Sequence, residues 1–246
     1  MSQPFVLFML VGFVAQMIDG CLGMAYGVCS NTFLLSIGIP PAAASASVHA
    51  AEIFTTLASG ISHFRLGNVD RKLFEKLLIP GIVGGVVGAY ILVSIPGDVL
   101  KPFIAAYLIV MGIHIFRKAF GDIEIGEATG KIVPLGLAGG FFDAVGGGGW
   151  GPIVTSTLIA RGSHPRFTIG SVNTAEFFVT VSESIVFILT IGLWHWNVVA
   201  GLIVGGVIAA PLAAHICKIV PTRVLMMLVG LIVIALSIRT VFLSVG

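Results

Sequence analysis

The sequence consists of ten apolar segments that fall into two groups of five. Read from hydropathy, the first group spans 4–18, 24–39, 42–61, 77–95 and 102–116, and the second spans 132–142, 150–160, 167–190, 198–216 and 223–245. Hydrophobic residues make up 57% of the chain and charged residues 10%, whereas about 25% of a soluble domain is charged. Such a chain cannot cover itself with polar surface, so we predict an all-α polytopic membrane protein.

The second group of segments repeats the first. Shifting the sequence by 124 positions aligns residues 12–56 with 136–180 without a gap. The matching pairs include Gly12 with Gly136, Asp19 with Asp143, Gly27 with Gly151, Pro41 with Pro165 and Glu52 with Glu176. Apolar segments often match by chance, but two pairs of acids in register do not. The prediction is a duplication, with a first repeat at 1–118, a connector at 119–131 and a second repeat at 132–246.

The placement of positive charge predicts that the two repeats are inverted in the membrane. Short cytoplasmic loops carry an excess of Lys and Arg. Of the 13 Lys and Arg residues, all except Lys101 and Arg239 obey this rule if the second repeat is turned over. The connector between the repeats is then cytoplasmic. Both termini lie on the outer side of the membrane, which we predict to be the cell (inner) membrane. Many secondary transporters have this plan and bind substrate near the midplane, between the repeats.

Each repeat breaks its apolar pattern at a tip, 19–27 in the first and 143–152 in the second. The second tip holds five glycines and a proline, so it cannot be ordinary helix interior. In lipid, broken helix is tolerated only where it is buried in protein or lines a cavity. We therefore expect the first two segments of each repeat to be short and hairpin-like, with tip amides free to hold a ligand. The alternative is a tight turn in which glycine serves close backbone packing.

A polar strip runs along the third segment of each repeat. The strips comprise Ser45, Ser47, His49, Glu52, Thr55 and Thr56 in the first repeat, and Ser171, Asn173, Thr174, Glu176, Thr180, Ser182 and Glu183 in the second. A spacing of three residues places His49 and Glu52 on one helix face. Ionisable residues at membrane depth are costly and usually face a cavity or a partner, which makes them functional candidates. The alternative for Glu52 and Glu176 is that they brace the hairpin by hydrogen-bonding the facing tip.

Nothing in the sequence points to an enzyme, a cofactor, a metal centre or a nucleic-acid partner. It contains no nucleophile elbow and no His-Glu-x-x-His run, and its glycine run lacks the lysine of a phosphate-binding loop. The three cysteines lack metal-ligand spacing, and the histidines, unlike the acids, are not paired between the repeats. Two alternatives stay open: a carrier of divalent metal or another cation that uses the paired acids, and an intramembrane enzyme that uses Asp143 or His49. The oligomeric state is not predicted.

The second tip and the residues after it resemble the TauE/SafE sulfite exporter family, also called the 4-toluene sulfonate uptake permease family. The matching text is 139–152, followed by 165–173 with its Gly-Ser-Val-Asn end. The first tip departs from the pattern, because 21–27 has fewer glycines and no proline. The resemblance implies a secondary transporter of small sulfur-containing anions, such as sulfite or an organosulfonate.

The predicted binding site combines the tips with the polar strips, and we favour the glycine-richer second tip as its main half. Substrate-binding candidates are Gly147, Gly148, Gly149, Trp150, Gly151, Ser171, Asn173, Thr174, Tyr26, Ser47 and His49; candidates for coupling or for shaping the site are Asp19, Asp143, Glu52 and Glu176. Helix N-termini offer N–H donors that suit a compact anion. An ionised glutamate would repel that anion, whereas a desolvated carboxyl group tends to keep its proton. Protons are therefore our candidate for the coupling ion.

Overall fold

The computed structural model describes residues 5–22, 24–121, 131–193, 195–216 and 222–245, and within them the chain forms ten α-helices and no strand. The first repeat contains α1 (Phe5–Leu22), α2 (Tyr26–Ser36), α3 (Pro41–Arg65), α4 (Arg71–Ser94) and α5 (Gly97–Lys118). The second contains α6 (Ile132–Gly146), a π-helical turn (Gly151–Thr155), α7 (Ser156–Ala160), α8 (Pro165–Thr190), α9 (Trp196–Ile216) and α10 (Thr222–Val245). The expected all-α fold is confirmed.

Among the residues that the structure describes, three helices are long and apolar enough to cross a membrane, namely α4, α5 and the part Phe167–Thr190 of α8. At 1.5 Å per residue these helices are about 33–36 Å long, which exceeds the roughly 30 Å of a hydrocarbon core. Helix α3 has 25 residues but carries the first polar strip. The apolar stretches described in α9 and α10 are shorter, Trp196–Ala210 and Met226–Phe242. A multi-pass membrane protein is thus confirmed.

The helix breaks at the two tips are shorter than the sequence indicated. Helix α1 continues through Asp19 to Leu22, and α6 continues through Asp143 to Gly146. The expectation that the acids open the breaks is therefore wrong: each acid lies near the end of its helix. In the second tip Gly147 and Gly148 have φ values of 66° and 144°, which a side chain would strain, so glycine is required where α6 ends.

The helices pack in pairs that respect the duplication. Under the shift that aligns the repeats, α1 corresponds to α6 and α4 to α9. Helix α1 packs on α9 and α6 packs on α4, so these two contacts are equivalent, while α3 packs on α8 and α5 on α10. This pairing is what two copies around a pseudo-twofold axis produce. Their orientation relative to a membrane stays a prediction.

Glycines allow the equivalent helix pairs to touch at the backbone. The run Ile-Val-Gly-Gly-Val occurs in α4 at 82–86 and in α9 at 203–207. A Cβ atom on Gly84 would overlap the carbonyl oxygen of Leu137 in α6, and one on Gly205 would overlap the carbonyl oxygen of Met9 in α1. Helix association within a membrane depends on such close packing of small residues. The same motif therefore joins α4 to α6 and α9 to α1.

We expect Gly205→Val to destabilise the protein, because its side chain would have to displace the α1 backbone. Overpacking of this kind costs about 1–3 kcal/mol or more. Thermal unfolding of the purified protein in detergent measures the effect. Gly121→Val is the control, since a Cβ there would meet only the Lys118 carbonyl oxygen, at 3.7 Å. Equal unfolding midpoints for the two variants would contradict the packing role of Gly205.

Candidate functional site

The two paired aspartates cap the helices that follow the two tips. Asp143 Oδ1 accepts the N–H of Gly149 at 2.7 Å and that of Trp150 at 2.9 Å. Asp19 Oδ1 accepts the N–H of Tyr26, the first residue of α2, at 3.3 Å. A carboxylate at a helix N-terminus satisfies orphan donors and opposes the positive end of the helix dipole. Equivalent residues thus perform the same task in both repeats.

The tips pack against each other and leave fewer amides free than we expected. A Cβ atom on Gly27 would lie 2.5 Å from the Cα of Gly148 and 2.7 Å from the carbonyl oxygen of Gly147. Asn31 of α2 donates to the carbonyl oxygen of Gly146 at 2.5 Å. Because Asp143 occupies the amides of Gly149 and Trp150, the expectation of free amides is wrong at these two residues. The role of the glycine tip, including Gly151, in holding a ligand stays a prediction.

Trp150 has a packing role in this structure. Its side chain is buried, and its Nε1–H donates to the carbonyl oxygen of Val172 in α8 at 3.1 Å. A Cβ on Gly81 of α4 would lie 2.5 Å from the indole Cη2. The ring therefore holds the start of the π-helical turn against α4 and α8.

A small polar cavity lies between the first tip, α3 and α8. It is lined by Asp19, Tyr26, Glu52, Thr55, Thr56, Ser59, Asn173 and Glu176 and has a volume of ≈ 10 Å³, room for about one water molecule. We call it the polar cavity. Five of these residues are among the predicted site residues: Asp19, Tyr26, Glu52, Asn173 and Glu176. The cavity adjoins the first tip, whereas the sequence had led us to favour the second.

Three hydroxyl residues of the polar cavity were not among the predicted site residues. Ser59 Oγ accepts a hydrogen bond from Asn173 Nδ2 at 3.0 Å, which links α3 to α8. Thr55 and Thr56 donate to the carbonyl oxygen of Glu52 at 3.2 and 2.6 Å. The signal for Ser59 was its position two helical turns after Glu52, on the same face.

Three other predicted binding residues lie outside the polar cavity. Ser171 accepts the N–H of Asp70, in the connection from α3 to α4, at 2.7 Å. Thr174 donates to the carbonyl oxygen of Gly170 at 2.6 Å, and Ser47 donates to that of Ala43 at 2.7 Å. In this structure these hydroxyls bond to backbone groups, so their role in binding stays a prediction.

His49, Asp143 and Glu183 form a second polar group, which we call the buried triad. His49 Nε2 lies 2.7 Å from Glu183 Oε2 and 3.7 Å from Asp143 Oδ2, and the side chains are at most 1% exposed. The residues come from α3, α6 and α8, so the triad joins the two repeats. A nitrogen and two carboxylate oxygens this close together can share a proton or coordinate a cation. His49, predicted as a substrate-binding residue, thus contacts two buried acids in this structure, and its role in binding stays a prediction.

Glu183 is not among the predicted site residues, because its equivalent in the first repeat is Ser59 rather than an acid. The same shift relates His49 to Asn173. The contact of His49 with Glu183 and that of Asn173 with Ser59 are therefore equivalent contacts between α3 and α8. One of them is ionisable and the other is neutral, so the two copies have diverged here.

Comparison with known proteins agrees with this architecture. Residues 8–240 match the family described as "Sulfite exporter TauE/SafE". The chain belongs to the TauE/SafE family. No solved structure matches it.

Two curated relatives of this TauE/SafE chain are named as transporters. "Probable membrane transporter protein YtnM" of Bacillus subtilis (strain 168) is 42% identical over 249 residues, which cover 97% of this chain and 83% of that protein. "Probable membrane transporter protein ORF9" of Sinorhizobium sp is 26% identical over 242 residues, covering 94% and 89%. The chain is thus a membrane transporter.

We expect Asp143→Ala to lower stability more than Asp19→Ala, because Asp143 caps two amides and Asp19 caps one. Loss of a helix cap costs about 0.5–2 kcal/mol. Thermal unfolding of the purified variants tests the order. Asp143→Asn keeps an acceptor oxygen and should fall between Asp143→Ala and the unmodified protein. Equal losses from the two alanine variants would show that the amide hydrogen bonds do not set the difference.

Proposed function

We propose that this TauE/SafE protein is a secondary transporter of a small sulfur-containing anion, such as sulfite or an organosulfonate, which binds in the polar cavity. The observation that supports this is the composition of the cavity: both repeats contribute to it, beside a broken helix. Transporters with inverted repeats bind substrate at such discontinuous helices. The family description, which names sulfite, supports the class of substrate.

The neutral donors of the polar cavity suit an anion that must also be released. They are the Ser59 hydroxyl and the Asn173 amide. The hydroxyls of Thr55 and Thr56 donate to the Glu52 carbonyl oxygen in this state and would donate to a ligand only after turning away from it. None of the described lining residues is Lys or Arg, so no fixed positive charge would trap the substrate. With room for about one water, the cavity must widen before sulfite enters, which corresponds to a closed state of the transporter.

The acids of the polar cavity determine when an anion is accepted. Asp19 is engaged with the α2 amide, which leaves Glu52 and Glu176 to face the interior. An ionised carboxylate in a low dielectric repels an anion strongly. The anion therefore enters when these groups are neutral, so proton occupancy and anion binding are linked.

A cation carrier is the second candidate function. The observation in its favour is that Asp19, Glu52 and Glu176 surround one cavity without a basic residue among the described lining residues. Carboxylate oxygens are preferred ligands of hard divalent cations. An anion carrier needs Glu52 and Glu176 to be neutral when substrate binds, whereas a cation carrier needs them to be ionised.

Flux measurements separate the two candidates. Proteoliposomes should accumulate labelled sulfite, and Asn173→Ala should weaken its binding up to about tenfold, the effect of one lost hydrogen bond. Asn197→Ala, at the exposed start of α9, is the matched control and should bind normally. Saturable uptake of a labelled divalent cation without any uptake of sulfite would replace the anion proposal by the cation one.

The pH dependence of binding tests the role of the glutamates. We expect the unmodified protein to bind methanesulfonate, whose own charge is constant between about pH 5 and 8, more weakly as pH rises, because ionising carboxyl groups repel it. Glu52→Gln and Glu176→Gln keep the shape without the charge, so binding should lose part of this dependence. An unchanged pH profile in both variants would leave the glutamates as braces of the hairpins.

We also propose that the repeats are inverted, with both termini outside and the connector in the cytoplasm. Single cysteines at Asn68 and Asn197, in a cysteine-free background, should then react from opposite sides of the membrane. The reason is that Arg65, Arg71 and Lys72 flank the α3–α4 connection, whereas the equivalent α8–α9 connection has no Lys or Arg. Labelling of both positions from the same side would rule out the inversion.

A further inference from the structure

We propose that the buried triad is a proton-binding site, separate from the polar cavity, that couples one proton to the movement of the two repeats against each other. The proposal rests on the transporter function above for its flux measurement. A second measurement, on the protein without substrate, tests the proton-binding site independently of the transporter function.

The hydrogen bonds around His49 identify the atom that exchanges the proton. Nδ1 lies 2.8 Å from the carbonyl oxygen of Ser45, which can only accept, so Nδ1 carries a hydrogen. Nε2 is then the variable position, and it faces Glu183 Oε2 at 2.7 Å. Asp143 cannot turn away, because its other oxygen holds the amides of Gly149 and Trp150. One proton is thus shared between His49 Nε2 and Glu183 Oε2.

Removal of that proton leaves a charge arrangement that this conformation cannot accommodate. Two carboxylates and the bare Nε2 lone pair would then converge without a donor between them. Glu183 Oε1 and Asp143 Oδ2 have no hydrogen-bond partner among the described residues. Like charges in so dry a site repel strongly. The deprotonated triad therefore favours a state in which its members are further apart.

The surroundings of the triad offer no substitute for the proton. Further ionisable groups are Glu52 on α3, Glu176 on α8 and Asp19 on α1, all of which line the polar cavity. Helix α5 contributes Tyr107, whose hydroxyl packs against the second tip. From α4 the contact is Gly85, where a Cβ atom would overlap Glu183 Oε1. All the titratable neighbours are acids or a phenol, so none supplies positive charge.

Separation of the triad requires the repeats to move. His49 belongs to the first repeat, whereas Asp143 and Glu183 belong to the second. Phe187 closes one side of the site, with its ring centroid 5.8 Å from that of His49. The triad is sealed in this conformation, so it gains or loses its proton only when the helices part. A ligand that binds two states unequally shifts their populations, and here the ligand is a proton.

The equivalent contact between Asn173 and Ser59 explains why only one of the two α3–α8 contacts exchanges a proton. That contact is a neutral hydrogen bond of 3.0 Å, and its opening leaves no buried charge. The two sides of the α3–α8 crossing therefore respond differently to pH. One side binds substrate in the polar cavity beside its protonated glutamates, and the other side binds the proton of the buried triad.

The flux experiment compares Glu183→Gln with Glu183→Asp in proteoliposomes, using methanesulfonate. Glu183→Gln should retain exchange at equal concentrations on both sides but lose about tenfold or more of the net uptake driven by a pH gradient, a coupling of ordinary size. Glu183→Asp, which still titrates, should keep more of the net uptake. The control is Glu75→Gln, an exposed residue paired with Arg71 at 2.8 Å. A brace would give the reverse order, with Gln tolerated and Asp not, and would overturn the proposal.

The second experiment follows the imidazole of His49 by ¹⁵N NMR of the purified protein without substrate, with His49→Gln to assign the signal. The protonation state should change with pH, with a midpoint that moves by about one unit or more in Glu183→Gln and stays in place in Glu75→Gln. If this holds while no anion is transported, the anion function fails and the proton site stands. A signal that does not change with pH, or a divalent ion retained stoichiometrically by the protein and lost in Glu183→Gln, would overturn the proton assignment.

Discussion

The structure depends on how backbone amides are satisfied where two helices break inside a membrane domain. Lipid offers no hydrogen bonds, so every such amide needs a partner within the protein. Asp19 and Asp143 provide it from the last turns of α1 and α6, each reaching across its own tip to the next helix. Because the aspartates accept hydrogen bonds from these amides, the glycine backbones of the two tips can pack directly against each other. Helices α3 and α8 then cross beside the tips and bring their polar strips together.

The all-α membrane fold could be predicted from the sequence, because hydropathy depends on the chain alone, whereas the duplication and the roles of the candidate acids stay predictions. The partners of those acids could not be predicted. Asp143 was selected for its place beside the glycines, yet its task as a cap depends on α6 continuing to Gly146. Repetition does not mark Glu183 as a site residue, because its contact with His49 joins positions that are not repeated. Contacts between repeats depend on the packing of α3 on α8, which hydropathy does not reveal.

Duplication supplies two equivalent sets of positions, and in this protein they serve different purposes. Around the first tip, hydroxyls and an amide leave a polar cavity. Around the second, the corresponding positions hold an imidazole and a carboxylate in contact at 2.7 Å. The first glycine of the Ile-Val-Gly-Gly-Val run, by contrast, meets the backbone of a neighbouring helix in both α4 and α9. The copies are thus the same where helices must approach and different where polar chemistry takes place.

The π-helical turn Gly151–Thr155 changes the geometry of everything after it in the second hairpin. Its counterpart in the first repeat, 27–31, is ordinary α-helix within α2. A π-helical turn takes more residues for each revolution, so over five residues it lags behind an α-helix by about a quarter of a turn. Side chains of α7 therefore point in other directions than their sequence equivalents in α2. From Ser156 to Ala160 a gapless alignment still pairs the letters of the two copies, but it no longer pairs positions in space.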